Sequence, residues 1–319
     1  MESVLKKNIS KIRLLLKRSG KITNKEIIIS PIFYMGNKKK LIKKGLVDFF
    51  PKNIDCFIDV FSGSGIVAMN TPSRSYVLND INSHLIELYS IFYLFKADSI
   101  VKHINKRIDE YGLPRERTKR NQFKDKEKIE QYKNAYMKFR NDVNKNPNSL
   151  DFYTLMFFSF SQQFRFNKNG EFNMPFGNDC FSEKNIEYIE NGCNFFQNNK
   201  CKTSNNDFKT LIYNIISITT DNNFYYFDPP YLNTTATYNE NREDDAWNEQ
   251  SEEELYECLD YLTSCNQKWA LSNNLSKNKS LVKWLENKNY TIHTFDGFTY
   301  SACGKGNKAD TKEVLITNY

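Results

Sequence analysis

Short apolar runs rich in β-branched and aromatic residues recur along the 319-residue chain. Runs of this kind, separated by longer amphipathic stretches, are typical of strands buried inside a sheet. Six strands are predicted, at residues 56–61, 76–78, 224–227, 268–272, 290–295 and 314–317. Helical patterns lie between them, most clearly at residues 41–50, 85–108 and 255–262. This alternation predicts an α/β fold built on a parallel sheet.

The interval between the second and third predicted strands is too long for one crossover connection, and it therefore predicts an inserted domain. Helical patterns occupy residues 127–144 and 151–163, and a Gly- and Asn-rich segment at 166–178 predicts an extended hairpin or loop. Ahead of the first strand, residues 1–29 form a basic, partly amphipathic segment. A packing helix and an auxiliary DNA-binding arm are its two interpretations.

Composition narrows the classes of protein. The net charge is +7, and residues 101–145 alone contain 14 Lys and Arg against 7 Asp and Glu, a local excess that suits a phosphate-rich partner. The seven cysteines never form a C-x-x-C pair, which argues against a zinc or redox centre. The chain shows neither an apolar run of the roughly 18 residues of a membrane span nor the apolar block of a signal peptide. We expect a cytoplasmic protein with reduced thiols, no bound metal and no membrane association.

Two motifs at predicted strand ends suggest an adenosine-containing cofactor. Residues 59–65 read Asp-Val-Phe-Ser-Gly-Ser-Gly, and glycines at 63 and 65 allow the tight turn that nucleotide-binding loops require. The next strand ends at Asp80, whose carboxylate can accept both hydroxyls of a ribose. A turn without a ligand is the alternative for the first motif. NAD and ATP are disfavoured, because the third glycine of a dinucleotide fingerprint and the G-K-[ST] of a P-loop are both missing.

Residues 226–231 read Tyr-Phe-Asp-Pro-Pro-Tyr and end another predicted strand. Two prolines cannot continue a central strand, so they hold the backbone after Asp228 in an extended turn. Such a turn presents a carboxylate and a peptide carbonyl to the two hydrogens of an exocyclic amine, which helps the nitrogen to aim its lone pair at a methyl donor. Tyr231 offers a flat face for a base drawn out of the helix. A surface turn is the alternative interpretation.

With Phe-x-Gly-x-Gly before Asp-Pro-Pro-Tyr, the chain resembles Dam-type (D12 class) N6-adenine DNA methyltransferases. The resemblance extends over about residues 31–319. It includes Phe-Tyr-Met-Gly-Asn-Lys at 33–38, Val-Leu-Asn-Asp-Ile-Asn at 77–82, Gly-Glu-Phe-Asn-Met-Pro-Phe-Gly at 170–177 and Ala-Leu-Ser-Asn at 270–273. The chain departs from the family pattern in having Tyr34 where Trp is common and Asn37 where a second Gly is common.

The resemblance implies a Rossmann-like, S-adenosylmethionine-dependent methyltransferase sheet with an inserted helical and hairpin target-recognition domain. The expected division is a basic extension at 1–30, a catalytic domain at 31–90 and 210–319, and the insert at 91–209. The implied cofactor-binding residues are Tyr34, Lys38, Phe61, Gly63, Gly65, Asp80 and Asp228. The implied catalytic residues are Asp228, Pro229, Pro230 and Tyr231. The alternative to a cofactor-binding role for Lys38 is that it forms one solvated helix face together with its neighbouring lysines.

Duplex DNA is the expected partner. One group of candidate residues could neutralise phosphates: Arg115, Arg117, Lys119 and Arg120. A solvated charged loop is the alternative interpretation of this group. A second group could reach base edges, and the recognition hairpin of the family lies there: Arg165, Asn167, Lys168 and Asn169.

The expected reaction is N6 methylation of a flipped adenine, at a GATC-like site by resemblance. Cytosine N4, RNA or protein amine methylation and a catalytically silent DNA-binding module are the competing functions. The sequence leaves open whether a cognate restriction endonuclease is a partner. We expect a monomer or weak dimer.

Overall fold

The computed structural model describes residues 26–117, 126–216, 222–232, 247–275, 278–295 and 313–319, together with the backbone of residues 16–18. Lys119 and Arg120, two of the predicted DNA contacts, lie outside these residues, as do residues 1–15 and 19–25 of the basic N-terminal segment.

Eight strands form one sheet. They are β1 Leu16–Arg18, β2 Cys56–Asp59, β3 Ser75–Asn79, β4 Lys200–Ser204, β5 Asn223–Phe227, β6 Lys268–Asn274, β7 Thr291–Phe295 and β8 Glu313–Thr317. Their order across the sheet is β1-β7-β8-β6-β5-β2-β3-β4. Neighbours run parallel, apart from β8, which is antiparallel to both β6 and β7. The six predicted strands are confirmed, and β1 and β4 were not predicted.

The helices surround this sheet. They are α1 Lys39–Lys43, α2 Ile66–Met69, α3 Ser83–Leu94, α4 Ala97–Tyr111, α5 Lys126–Lys145, α6 Ser149–Phe158, α7 Glu183–Asn198, α8 Phe208–Ile216, α9 Glu249–Ser264 and α10 Lys279–Leu285, with 3-10 turns at Leu46–Phe49 and Phe160–Gln162. No helix of the described part of the chain is long and apolar enough to cross a membrane.

Three predicted helices are shorter or interrupted. The pattern at 85–108 is two helices, because Phe95 and Lys96 are extended and the Gln197 side chain caps the end of α3 by donating to the carbonyls of Phe92 and Phe95 at 2.9 and 2.8 Å. The pattern at 41–50 is broken after α1. The pattern at 151–163 ends with α6 at Phe158, since Ser161 and Gln162 have positive φ.

A helix was the first interpretation of the basic N-terminal segment, and it is wrong for residues 16–18. These residues form β1, which pairs in parallel with β7, Leu16 lying opposite Ile292. The physical reason is that without β1 the strand β7 would be at the edge, with a row of unpaired backbone hydrogen-bonding groups, which a short extended segment satisfies.

The sheet is buried on both faces. Phe57 and Tyr226 belong to the hydrophobic core on one face, whereas Ile58 and Tyr225 belong to the core on the other. Continuous apolar strands are typical of sheets covered on both sides, which is why the pattern located β2 and β5. From β2 the chain leaves to β3 and β4 on one side and returns to β5 on the other. The crevice between the carboxyl ends of β2 and β5 is therefore the topological switch point, where open α/β sheets bind ligands.

The interval between β3 and β4 carries helices α3 to α7 and the predicted hairpin. Phe166 bridges Phe172 in antiparallel pairing around the turn. Asn144 of α5 holds the hairpin by accepting from the amide of Phe172 at 2.8 Å and donating to its carbonyl at 3.1 Å. Tyr153 of α6 donates to the carbonyl of Pro31 at 3.1 Å, so the insert is bonded to the segment that precedes β2.

Gly177 tests the packing of the hairpin against α6. A Cβ added there would lie 2.4 Å from the carbonyl oxygen of Ser159, so Gly177→Ala forces the two backbones apart. We expect a loss of about 1–3 kcal/mol in the free energy of unfolding, measured by urea denaturation followed by circular dichroism. Lys184→Ala, an exposed change in α7, is the control and should alter stability by less than about 0.5 kcal/mol. Equal midpoints for both variants would contradict the packing.

Candidate active site

The turn after β2 depends on two glycines. Gly63 and Gly65 have φ values of +52° and +72°, in the left-handed region that glycine adopts without strain. A Cβ at Gly63 would lie 3.2 Å from the ring of Tyr34, and one at Gly65 would lie 3.2 Å from Leu78. The structure therefore brings the predicted Tyr34 against the predicted glycine turn.

Hydrogen bonds fix this turn against its surroundings. The amide and hydroxyl of Ser62 donate to the carbonyl of Asn79 at 2.8 and 2.9 Å. The buried Tyr89 hydroxyl donates to the carbonyl of Gly63 at 2.7 Å, and Ser30 donates to that of Ser64 at 2.5 Å. The turn is thus held in place by protein groups.

Asp80, at the carboxyl end of β3, accepts two backbone hydrogen bonds. The amide of Gly63 donates to Oδ2 and the amide of Asn82 donates to Oδ1, each at 2.9 Å. Burial raises the pKa of Asp80 to about 6, although these two amides favour the charged form. Asp80 therefore connects the glycine turn to the start of α3 and remains a carboxylate at neutral pH.

Asp228 follows β5 and pairs with Lys38. Their Oδ1 and Nζ atoms are 2.6 Å apart, and the two side chains are only 16% and 6% exposed. Burial raises the pKa of Asp228 to about 6, and Lys38 opposes this rise. Lys38 also donates to the carbonyl of Gly36 at 3.3 Å and lies 5.0 Å from the ring centroid of Tyr231. Lys38 is thus part of the site and not of a solvated helix face.

Asp59 is a third carboxylate at this edge, and the sequence analysis assigned it no role. It is 1% exposed, and neither carboxyl oxygen has a hydrogen-bond partner among the described residues. Burial raises the pKa of Asp59 well above its usual value, and the charges of Asp228 and Asp80 raise it further. Asp59 is the last residue of β2, whereas the strand was predicted to run on to residue 61, so the sequence pattern did not mark Asp59 as a strand-end carboxylate.

Phe61 packs in an aromatic group beside the turn. Its ring centroid lies 5.5 Å from that of Phe208 and 5.6 Å from that of Trp247. The Asn79 side chain joins the loop before α8 to this edge by pairing with the backbone of Asn206. Sequence reasoning missed Phe208 because β4, which delivers it, has no apolar run.

The predicted phosphate-contacting arginines come from a different part of the sequence than the residues of the crevice. Each is ion-paired with an acidic side chain. Arg115 is ion-paired with Asp109, and Arg117 lies 2.8 Å from Asp179. Both guanidinium side chains are more than half exposed. They are positioned at the surface of the insert.

The predicted base-reading residues lie on the hairpin and differ in their contacts. Arg165 donates to the Asn173 side chain at 3.0 Å. Asn167 accepts from the amides of Asn169 and Glu171 and so shapes the turn, whereas Lys168 and Asn169 are exposed at its tip.

The hairpin also contacts the helix that starts beside Asp80. The ring of His84, in the first turn of α3, stacks on that of Phe166 with centroids 3.7 Å apart. The Asn82 side chain accepts from the amide of His84 at 3.1 Å and caps that turn. Within the described ranges, no group of three or more His, Cys, Asp or Glu side chains is arranged to hold a metal ion.

A fixed glycine turn, acidic strand ends and Asp-Pro-Pro-Tyr lie at the switch point of a mostly parallel sheet, an arrangement consistent with a Rossmann-like methyltransferase fold. Residues 34–299 match the family described as D12 class N6 adenine-specific DNA methyltransferase, and the chain belongs to this family. The resemblance found in the sequence is confirmed.

Individual relatives agree with this assignment. The chain is 35% identical over 308 residues to modification methylase StsI of Streptococcus sanguinis, covering 93% of the chain and 44% of that protein. It is 33% identical to type II methyltransferase M.FokI of Planomicrobium okeanokoites, covering 94% of the chain and 44% of that protein. DNA adenine methylase of Escherichia coli K12 is 28% identical over 193 residues, 58% of the chain and 59% of that enzyme. The chain thus spans less than half the length of the first two relatives.

The ion pair predicts how Lys38 controls Asp228. In Lys38→Met, burial and the neighbouring carboxylates remain while the compensating charge is lost, so the pKa of Asp228 should rise above about 6. Carbon-13 NMR titration of the Asp228 carboxyl, assigned with Asp228→Asn, measures this shift. Lys40→Met, an exposed change in α1 two residues further on, should leave the titration unchanged. A pKa that stays the same or falls in Lys38→Met would show that the pair does not hold the carboxylate ionised.

Proposed function

We propose that this chain transfers a methyl group from S-adenosylmethionine to N6 of adenine in duplex DNA. The observation that carries the proposal is Asp228, which is ion-paired with Lys38 at 2.6 Å and followed directly by two prolines and Tyr231. Membership of the D12 class supports the reaction. The names of the relatives, modification methylases and DNA adenine methylase, support the same substrate.

The charge of the crevice suits this cofactor. S-adenosylmethionine carries a sulfonium and an ammonium. Burial raises the pKa values of Asp59, Asp80 and Asp228, and the charges of Asp228 and Asp80 raise the pKa of Asp59 further. The carboxyl oxygens of Asp59, buried without a partner in the described chain, fit a cationic ligand. The positive φ values of Gly63 and Gly65 give the tight turn that nucleotide-binding loops require. When bound, the cofactor supplies an activated methyl group; Tyr34, Lys38, Phe61 and Asp80 complete the proposed pocket.

The residues after β5 would bind and orient the target amine. Asp228 accepts one N6 hydrogen and the carbonyl of Pro229 accepts the other, which frees the nitrogen lone pair for in-line attack. Pro230 keeps this turn extended, and Tyr231 stacks on the flipped adenine. Because the pKa of Asp228 is about 6, its carboxylate can also take the proton that the methylated nitrogen releases near neutral pH.

The insert would bind the duplex. Arg115, Arg117, Lys119 and Arg120 would contact phosphates, with affinity that falls as salt rises. Arg165, Asn167, Lys168 and Asn169 would approach the bases, Asn167 mainly by shaping the hairpin turn. The proposal also includes a GATC-like target site, a cognate restriction endonuclease as partner, a monomer or weak dimer, and a cytoplasmic location. The proposed domains are a basic extension at 1–30, a catalytic domain at 31–90 and 210–319, and an insert at 91–209.

Asp228→Ala tests the proposed reaction. Incubation with unmethylated genomic DNA and labelled S-adenosylmethionine, followed by sequencing of modified bases, should give N6-methyladenine at one short motif for the wild-type chain. The variant should lose about 100-fold or more of this activity, because it lacks the acceptor for the amine, while still binding DNA. Glu257→Ala, which removes an exposed carboxylate of α9, is the control and should remain active. Methyl transfer to cytosine or RNA, or DNA binding without methyl transfer, would favour a competing function.

The raised pKa values predict an acid limit for activity. Asp80 and Asp228 both have pKa values of about 6, so they protonate at a higher pH than ordinary carboxyls do. We expect kcat/KM for the cofactor to fall below about pH 6 and kcat alone to persist to lower pH, since the bound cation favours both ionised carboxylates. Steady-state rates from pH 5 to 8 measure the two profiles. Coincident profiles, or a flat kcat/KM down to pH 5, would contradict this electrostatic account.

A further inference from the structure

A buried glutamate contacts the tyrosine of the Asp-Pro-Pro-Tyr turn. Glu313 is fully buried, and its Oε1 accepts the hydrogen bond of the Tyr231 hydroxyl. The contacts that hold the Tyr231 ring include this carboxylate at its hydroxyl end, a side-chain hydrogen bond to Asp228 and the Lys38 ammonium 5.0 Å from its centroid. Neither the sequence motifs nor the proposed reaction gives Glu313 a role.

The reversed direction of β8 brings Glu313 to this place. The parallel strands end at the active-site edge, whereas β8 is antiparallel and starts there. Glu313 is its first residue and lies opposite Asn274 at the end of β6 and Phe295 at the end of β7. A residue from the far end of the chain is thus placed beside residues 228–231.

The charge of Glu313 is unfavourable for its neighbours. It raises the pKa of Asp228 and of Tyr226, as a like charge does at short range. A neutral side chain would fill the same space without this repulsion. A carboxylate does offer a stronger hydrogen bond to a hydroxyl than a neutral acceptor, because charge-assisted hydrogen bonds are shorter and stronger.

We propose that Glu313 is a positioning residue, which holds the Tyr231 hydroxyl so that the ring has a fixed orientation before the flipped adenine stacks on it. This inference rests on the proposed function. Glu313 contacts neither adenine nor cofactor and acts through Tyr231. Its loss should slow capture of the flipped base and methyl transfer, and it should leave cofactor affinity nearly unchanged.

The experiment uses the full chain and two duplexes. One has adenine at the site that methylation sequencing identifies and gives the methylation rate; the other has 2-aminopurine in place of that adenine, which lacks the 6-amino group and reports base flipping alone. Fluorescence of 2-aminopurine rises when the base leaves the stack, so it reports capture directly. Glu313→Gln should lower the fluorescence change and the single-turnover methylation rate about 10-fold, with KM for S-adenosylmethionine within about 2-fold of wild type. The matched control is Glu252→Gln, which changes another fully buried glutamate that accepts from a tyrosine, Tyr256. It should leave both signals unchanged.

A double-mutant cycle separates positioning from general destabilisation. Tyr231→Phe removes the bond to Glu313 from the other partner, together with the hydrogen bond of the hydroxyl to Asp228, and keeps the ring. Adding Glu313→Gln to it should therefore cause no further loss. Tyr231→Phe alone also tests the bond if Glu313→Gln does not fold. Additive losses, or a Glu313→Gln variant with wild-type fluorescence and rate, would overturn the positioning role while leaving the methyltransferase assignment intact. A wild-type chain that methylates no DNA would overturn the proposed function and this inference together.

Discussion

The ion pair between Lys38 and Asp228 joins the segment before the sheet to the end of β5, with its charged atoms 2.6 Å apart. Both side chains are mostly buried, and removing one partner of such a pair leaves an uncompensated charge that typically costs about 3–5 kcal/mol. The same ammonium lies beside the ring of Tyr231, whose hydroxyl is bound by Glu313. Residues from positions 38, 228–231 and 313 therefore meet around one cation.

Much of the sheet was predictable because its strands are buried on both faces. The run Phe224 to Phe227 is wholly buried, and burial of this kind requires consecutive apolar residues. By contrast, β4 reads Lys-Cys-Lys-Thr-Ser and lies at the edge, so its pairing with β3 supplies hydrogen bonds without an apolar signal. The break between α3 and α4 was equally hidden, because it depends on Gln197, about a hundred residues away.

The candidate site was predictable where a residue follows a strand directly. Asp80 and Asp228 do so, and the structure brings both to one edge, although their roles stay predictions. Asp59 instead ends β2, inside the strand predicted at 56–61, and its burial without a partner among the described residues is a tertiary property that the sequence does not display. Glu313 reaches the site only because β8 runs antiparallel, and the apolar pattern of a strand does not predict its direction.

The insert shares its hydrophobic core with the sheet. Tyr153 and Phe166 of the insert belong to the same buried cluster as Phe57 and Tyr226 of the strands. A segment with its own core could be exchanged between related proteins as a module, since few contacts would be broken. Here, transplanting residues 91–209 would expose one face of the sheet and leave the graft without its packing partners. Substitutions at the exposed tip of the hairpin, around Lys168 and Asn169, would by contrast keep this buried framework unchanged.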